Sequence, residues 1–444
     1  MPPNPFTPET KRPPGAGRQA PAPPRASPEP AAAATRPGPR PLALHLASAM
    51  TTWIGSLAAL PSARQGSMPW TQALEQRGAA LAEELASRDL EGLVEALGGE
   101  VAGRMAEMLA GIEAYQRHPY RRTLEDPPCL GREGGSRLLD FGATAKGGAA
   151  KGGTAGAPVL FVPSLINRAY ILDLSARRSL LRHLARHGIR PLLLDWGAPG
   201  AAERDFDLDD YIAGRLERAL DRALELAGGP VGLVGYCMGG TLALALAQRR
   251  QGELGSLALL ATPWDFHAER GAQARLLAVA QGALEGVVEA LGELPVDVLQ
   301  AFFASLDPTL ASRKFRAFAR LSPESERAAD FVALEDWLND GVPLVPAVAR
   351  ACMIGWYGEN RPARGAWRVA GRAVEPAEVE LPALVAVPRA DRIVPPASAR
   401  ALARALPRAR VLEPPSGHIG MVVGGRAPEG LWAPLAEWLT AHAG

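Results

Sequence analysis

The stretch Val234-Gly235-Tyr236-Cys237-Met238-Gly239-Gly240 joins an apolar run to an alanine-rich run of helical character. The spacing Gly235-x-Cys237-x-Gly239 is typical of a nucleophile elbow, a strained strand-to-helix turn that exposes one nucleophilic atom. Small residues are needed beside the nucleophile because larger side chains would collide with the turn or with a neighbouring strand. A thiolate at a helix N-terminus is a strong nucleophile at neutral pH, so the motif predicts acyl transfer from an activated thioester. An inert buried cysteine is the alternative for this motif taken alone.

Apolar strands and amphipathic helices alternate on both sides of the elbow. Continuous apolar strands that alternate with helices indicate a parallel sheet covered on both faces, which is an α/β architecture. The predicted strands are 159–162, 191–195, 231–236, 257–260, 384–387 and 409–412, and the predicted helices are 171–187, 208–226, 239–248 and 431–439.

Composition divides the chain into four parts. Residues 1–41 are rich in Pro, Ala and Arg, and we expect a disordered arm there. A helical N-terminal region is predicted for 42–120, and the α/β core for 121–265 and 379–444. The mostly helical stretch 266–378 interrupts the core where a cap or lid would lie, over the carboxyl ends of the strands. A Gly-rich stretch at 143–156 predicts a flexible hairpin loop.

The segment 42–60 is long and apolar, with His45 as its only titratable side chain. Its serines and threonines lower its hydrophobicity, so we do not expect a membrane span. We favour a helix packed on the catalytic domain, and a helix lying on a hydrophobic surface is the alternative.

An elbow nucleophile needs a base, and the order nucleophile, acid, histidine is predicted for this topology. Asp391 and His418 follow the last two predicted strands, so both are expected on the same edge of the sheet as Cys237. His418 would take the thiol proton, and Asp391 would orient His418 and stabilise its charged form. A role for Asp391 as a turn residue is the alternative.

An oxyanion hole is the third requirement. The backbone N–H of Met238, next to the nucleophile, is one predicted donor. The second is expected from the loop after the first of these strands, at Leu165 or Ile166.

Charge and cysteine content narrow the class of protein. The 444 residues carry 48 basic and 47 acidic side chains, a net charge of +1, which argues against nucleic-acid binding. The three cysteines (Cys129, Cys237 and Cys352) form neither a disulfide framework nor a metal-binding pair. We expect no cofactor or metal, and a cytoplasmic protein.

At these residues the sequence resembles the polyhydroxyalkanoate synthases, enzymes of the α/β-hydrolase fold that polymerise hydroxyacyl-CoA. The resemblance covers about 118–444. The matching motifs are Gly235 to Gly240, Asp391 to Pro395, Ser416 to Ile419, and the less catalytic stretches 164–168, 170–174, 195–197, 337–341 and 359–361.

The resemblance implies a covalent acyl intermediate on Cys237 and chain growth with release of CoA, at the surface of polyester granules. It implies 3-hydroxyacyl-CoA and the growing polyester as ligands, with a homodimer, a second synthase subunit or granule-associated proteins as candidate partners. Arg392 departs from the family pattern, since many synthases have His there, and Ser164 stands where a second proline or a tryptophan is frequent. An intracellular polyester depolymerase or acyl-CoA thioesterase on the same scaffold is the main alternative. A non-catalytic granule-associated protein is the second alternative.

Overall fold

The computed structural model describes residues 36–144, 156–269 and 271–442, without the side chains of 272–278. Most of the predicted disordered arm, and the Gly-rich part of the predicted loop at 143–156, lie outside these ranges. The prediction of a disordered arm is wrong at the C-terminal end of that segment, because Arg36 is buried and only 9% exposed. Its guanidinium donates to Asp336 Oδ1 at 2.6 Å and to the carbonyl of His118 at 2.5 Å, which anchors the chain before the first helix.

Eight strands of the described residues form one sheet in the order β1-β2-β6-β3-β7-β8-β11-β12. The strands β6, β3, β7, β8, β11 and β12 are parallel, and β1 and β2 add an antiparallel edge. Two further antiparallel pairs, β4 with β5 and β9 with β10, lie outside this sheet. The strands are β1 Cys129–Glu133, β2 Ser136–Asp140, β3 Pro158–Val162, β4 Asp173–Ser175, β5 Arg178–Ser179, β6 Arg190–Asp195, β7 Val231–Tyr236, β8 Leu254–Leu260, β9 Arg368–Val369, β10 Arg372–Ala373, β11 Ala383–Ala386 and β12 Ala409–Leu412.

The central strands are hydrophobic on both faces, which confirms the predicted parallel sheet. Every residue of β3, β7 and β11 is buried. Polar side chains could not alternate along these strands because helices cover both sides. The helices are α1 Leu42–Arg64, α2 Glu75–Ala86, α3 Leu90–Arg117, α4 Leu180–Arg186, α5 Glu217–Ala227, α6 Met238–Arg250, α7 Gly271–Leu291, α8 Val296–Ala304, α9 Leu310–Phe318, α10 Glu326–Asn339, α11 Pro346–Arg350, α12 Pro396–Ala405, α13 Gly420–Val423 and α14 Ala433–Ala441.

Two local predictions are wrong. The helix predicted at 171–187 is confined to α4, because the buried carboxylate of Asp173 binds the guanidinium groups of Arg122 and Arg182 and holds β4 in a short hairpin. Ser179 then caps α4 by accepting the Arg182 N–H at 3.0 Å. The loop predicted at 143–156 does not close a hairpin, since β6 lies between β2 and β3.

The described chain divides into two compact units. One contains the sheet, within 122–299 and 340–442, and the other contains 36–121 together with Gln300–Asn339. The predicted insertion 266–378 is therefore shared between the two units. In the helical unit, Trp53, Met108 and Tyr115 share a hydrophobic core with Phe315 and Phe318, which explains why 300–339 belongs with the N-terminal helices.

Helix α1 contacts α2, α3 and α9 within the helical unit. Among the described residues, α1 is long enough and apolar enough to cross a membrane, judged by length and composition alone. Only 11% of its most apolar 18-residue window is buried.

Candidate active site

Cys237 lies at a sharp turn between β7 and α6. Its φ of 55° and ψ of −129° are a backbone conformation that non-glycine residues rarely adopt. Its N–H donates to the carbonyl of Leu260 at 2.9 Å, which ties the turn to β8. Strain of this kind persists only where the surroundings enforce it, so the structure supports the predicted elbow at this position.

The glycines around Cys237 are required by close backbone contacts. A Cβ on Gly239 would lie 2.1 Å from the carbonyl oxygen of Val162 and 2.5 Å from that of Pro163. A Cβ on Gly235 would lie 2.4 Å from the Cα of Gly240. The elbow therefore packs directly against the loop that follows β3.

His418 and Asp391 form a buried pair. His418 Nδ1 lies 2.7 Å from Asp391 Oδ2, and the two side chains are 6% and 0% exposed. Asp391 Oδ1 accepts the backbone N–H groups of Ile393 and Val394 at 2.8 and 2.9 Å. Because the carboxylate accepts at Nδ1, Nδ1 carries a proton and Nε2 is the ring nitrogen left for Cys237.

Backbone pairing beyond the strands brings these two residues together. Val387 N–H donates to the Leu412 carbonyl at 2.7 Å, Arg389 to Pro414 at 3.0 Å, and Ala390 to Ser416 at 3.0 Å. The loops after β11 and β12 therefore run side by side for several residues past the sheet. This pairing explains why residues 27 positions apart meet at hydrogen-bonding distance.

The charges around His418 favour its protonated form. Burial lowers the pKa of the imidazole, but the Asp391 carboxylate and the Cys237 sulfur outweigh burial and raise the pKa of His418 to about 10. The Cys237 sulfur contributes to this rise in the pKa both through its charge and through its side-chain interaction with the ring. The site can hold a proton on His418 near neutral pH and release it to a leaving group.

The predicted oxyanion donors lie at two adjoining backbone segments. Met238 is the first residue of α6, where backbone N–H groups have no partner within the helix. Ile166 donates its N–H to the Ser164 hydroxyl at 3.2 Å, a contact that favours Leu165 as the second donor.

Comparison with known proteins assigns this chain to a family. The α/β hydrolase fold family model matches residues 157–424, more than half of the chain. The poly(3-hydroxyalkanoate) polymerase subunit PhaC of Allochromatium vinosum is 30% identical over 64% of this chain and 80% of that protein. The PhaC subunit of Synechocystis sp. is 30% identical over 64% of this chain and 77% of that protein. The chain belongs to the PhaC family.

Other relatives differ from this PhaC-family chain in length. The PhaC subunit of Haloferax mediterranei is 30% identical over 63% of this chain, and the chain spans 58% of that protein. Among solved structures, Rv0554 from Mycobacterium tuberculosis covers 69% of this chain and 94% of its own at 19% identity, with a TM-score of 0.43.

The sequence did not identify Tyr236, which lies beside the PhaC elbow, as a residue of the site. Tyr236 is buried, and its hydroxyl donates to the backbone carbonyl of His418 at 3.3 Å. Its ring centroid lies 5.2 Å from that of His418. Burial and the neighbouring Cys237 and Asp391 raise the pKa of Tyr236 well above its ordinary value, so the hydroxyl stays a donor. Its place before the nucleophile was the only signal in the sequence.

The two other cysteines of this PhaC-family chain lie in different surroundings. Cys352 is fully buried, and burial raises its pKa above the ordinary value, which disfavours the reactive thiolate. Cys129 is exposed on the edge strand β1.

Proposed function

We propose that the chain is a polyhydroxyalkanoate synthase that polymerises 3-hydroxyacyl-CoA through a covalent acyl-enzyme on Cys237. The observation that carries the proposal is a strained elbow bearing a thiol, beside a buried His418–Asp391 pair, in a chain of the PhaC family. A binding protein would have no need for this arrangement of three groups.

The first half-reaction forms the acyl-enzyme. Cys237 Sγ, its proton held on His418 Nε2, attacks the thioester carbonyl carbon, and the carbonyl oxygen becomes an oxyanion. The N–H groups of Met238 and Leu165 would stabilise that charge. The tetrahedral intermediate then breaks its bond to the CoA sulfur, which takes the proton from His418 and leaves as CoA.

The second half-reaction extends the chain. The hydroxyl of another 3-hydroxyacyl-CoA attacks the carbonyl carbon of the Cys237 thioester and passes its proton to His418. The bond between that carbon and Cys237 Sγ then breaks, so that an ester forms and Cys237 leaves as the thiolate beside protonated His418. We assign this proton to His418 alone, because the Asp391 side chain is 0% exposed and both of its oxygens already accept hydrogen bonds. Asp391 then acts by orienting His418 and stabilising the imidazolium.

A depolymerase or thioesterase could use the same groups. Water in place of the hydroxyl would release a free hydroxy acid, and only exclusion of water favours polymer. The residues 340–358 that follow the helical unit return to the sheet-containing unit, where Val342 N–H donates to the Ile166 carbonyl at 2.8 Å. This contact joins the segment 340–358 to the loop predicted to hold the oxyanion.

We place the enzyme at the granule surface in the cytoplasm, and α1 supports this location. Its exposed face includes Leu44, Met50 and Ile54 and carries no charged side chain. The Thr52 and Ser56 hydroxyls donate to carbonyls four residues earlier in α1, which lowers the cost of placing this face against a polyester. A homodimer or a second subunit remains part of the proposal as a partner.

The deciding experiment measures CoA release and polymer formation with 3-hydroxybutyryl-CoA. We expect both for the wild-type chain, and neither for Cys237→Ala. Release of CoA with only free 3-hydroxybutyrate would replace the synthase by a hydrolase. No CoA release with or without an added partner subunit would contradict the enzymatic proposal.

A further inference from the structure

The loop that follows β3, residues 163–168, is held at both ends, and we call it the β3 loop. At its start, the Pro163 carbonyl accepts the indole N–H of Trp196 at 2.9 Å. Trp196 comes directly after β6, the neighbour of β3 in the sheet, and is 6% exposed. Because a buried carbonyl without a partner is costly, this hydrogen bond fixes the direction of the Pro163 carbonyl.

At its other end, the β3 loop pairs with the segment 340–342. Val342 N–H donates to the Ile166 carbonyl at 2.8 Å, and Asn167 forms an antiparallel bridge with Gly341. All of these residues belong to the sheet-containing unit. A slip of one residue in such a pairing would turn every side chain to the opposite face, so the pairing sets the register of the loop.

A side-chain ion pair extends this pairing by one residue. Arg168 Nε donates to Asp340 Oδ1 at 3.3 Å, and the two residues stand opposite each other in the same antiparallel register. Their side chains are 31% and 46% exposed, so the ion pair contributes little to the stability of the whole fold. Its effect is local, because it holds together the end of a very short pairing.

The first residues of the β3 loop contact the elbow. A Cβ on Gly239, in the first turn of α6, would lie 2.5 Å from the Pro163 carbonyl oxygen. Between that residue and the pairing at Ile166 stand only Ser164 and Leu165. The Leu165 N–H, the predicted second oxyanion donor, therefore has fixed backbone on both sides.

An oxyanion donor is effective only at the correct position. Loss of one donor typically slows acyl transfer by about 100-fold or more, and a misplacement of about 1 Å in a catalytic site can cost a similar factor. The position of a backbone N–H is set by the groups that hold the neighbouring backbone. For the Leu165 N–H, these groups are the Trp196 indole and the segment that begins at Asp340.

We propose that Trp196 and Asp340 are positioning residues that hold the Leu165 N–H where the oxyanion of the acylation step develops. Trp196 acts through the Pro163 carbonyl, and Asp340 acts through Arg168. The inference rests on the proposed function and adds the residues that position one of its groups. Both residues act through the β3 loop and take no part in proton transfer.

The test compares two reactions of Cys237. Acylation by 3-hydroxybutyryl-CoA, measured as CoA released in the first turnover, forms an oxyanion. Alkylation by iodoacetamide, measured by mass spectrometry of the Cys237 peptide, uses the same thiolate but displaces iodide from a methylene carbon and forms no oxyanion. The ratio of the acylation rate to the alkylation rate therefore reports on the oxyanion site separately from the thiol and its base.

Trp196→Phe keeps an aromatic ring and removes the N–H that holds Pro163. We expect the ratio to fall roughly 10-fold. Trp432→Phe is the matched control, because the Trp432 indole N–H donates to the buried Val422 carbonyl at 2.8 Å, and its ratio should stay within about 2-fold of the wild-type value. Equal slowing of the two reactions in Trp196→Phe, or an equal ratio in the two variants, would overturn the role of Trp196.

Asp340→Ala should lower the ratio about threefold and leave the unfolding temperature unchanged. Glu225→Ala is the control, since its carboxylate is also 46% exposed and paired with an arginine, Arg222, and it should leave the ratio unchanged. In an Arg168→Ala protein, Asp340→Ala should cause no further loss, because Asp340 acts through Arg168. A further loss of the same size would overturn this route.

Ratios at the wild-type value in both Trp196→Phe and Asp340→Ala would overturn the positioning role. In that case CoA release by the wild-type chain would still support the synthase. No CoA release by the wild-type chain, with or without an added partner subunit, would overturn the proposed function itself, and the positioning role with it.

Discussion

The hydroxyl of Tyr236 donates to the backbone carbonyl of His418, so the residue before the nucleophile is bonded to the residue proposed as the base. The two rings lie 5.2 Å apart at an angle of 31°. Tyr236 belongs to β7 and His418 to the loop after β12, and two strands, β8 and β11, lie between β7 and β12 in the sheet. This hydrogen bond fixes the backbone of His418, the proposed base, relative to the elbow.

We therefore expect Tyr236→Phe to lower kcat more than it raises KM. A three- to tenfold loss in kcat corresponds to one modest hydrogen bond of about 1 kcal/mol. Tyr115→Phe is the matched control, since the Tyr115 hydroxyl donates to Asp336 at 2.9 Å in the helical unit and should affect stability alone. Wild-type kcat in Tyr236→Phe would show that the hydroxyl does not position His418.

Asp391→Asn keeps the shape of the side chain and removes its charge. The amide cannot stabilise the imidazolium, so we expect kcat/KM for 3-hydroxybutyryl-CoA to fall by about 100-fold or more. Asp126→Asn, at a carboxylate that is 51% exposed and paired with Arg137, should leave the rate unchanged. A loss below about threefold for Asp391→Asn would contradict the proposed role.

The raised pKa of His418 predicts how stability depends on pH. A pKa raised from 6.5 to about 10 means that protonated His418 stabilises the fold fully below pH 6.5 and that this contribution is lost as pH rises through about 10. The free energy of unfolding of the wild type should therefore fall, relative to Asp391→Asn, between pH 7 and 10, by at least about 1 kcal/mol. Denaturant titrations of both proteins at each pH measure this difference, and parallel pH curves would refute it.

Gly239→Ala tests the packing of the elbow. The added methyl would meet the Val162 and Pro163 carbonyls, and relief of this clash should cost about 1–3 kcal/mol of unfolding free energy and abolish CoA release. Gly252→Ala is the control, because a Cβ there meets nothing within 4 Å. Urea denaturation and CoA release are measured for both variants, and equal behaviour would mean that the elbow tolerates a side chain.

The exposed face of α1 is tested with Ile54→Lys. Ile54 is 53% exposed, so the fold should be unaffected, while loss of its burial against polyester should weaken granule binding about 10-fold. Ala79→Lys, at an exposed position of α2, is the control for added charge. Co-sedimentation with purified polyester granules gives the bound fraction, and equal binding of the two variants would exclude α1 from the contact.

The sequence predicted the sheet because its central strands are apolar on both faces and regularly spaced. It predicted Cys237, Asp391 and His418 as candidates because the order of motifs along the chain follows the order of the strands. It failed at 171–187, where the pattern was apolar enough for a helix. There the ion pairs of the buried Asp173 with Arg122 and Arg182 are long-range contacts that periodicity does not reveal.

The sequence by itself determined the fold class and the chemical groups, since both depend on local hydrophobic period and residue type. Only the tertiary structure decided which loops lie side by side, that 300–339 joins the N-terminal helices, and that Tyr236 reaches His418. These relationships join residues from distant parts of the chain, and packing between elements creates them.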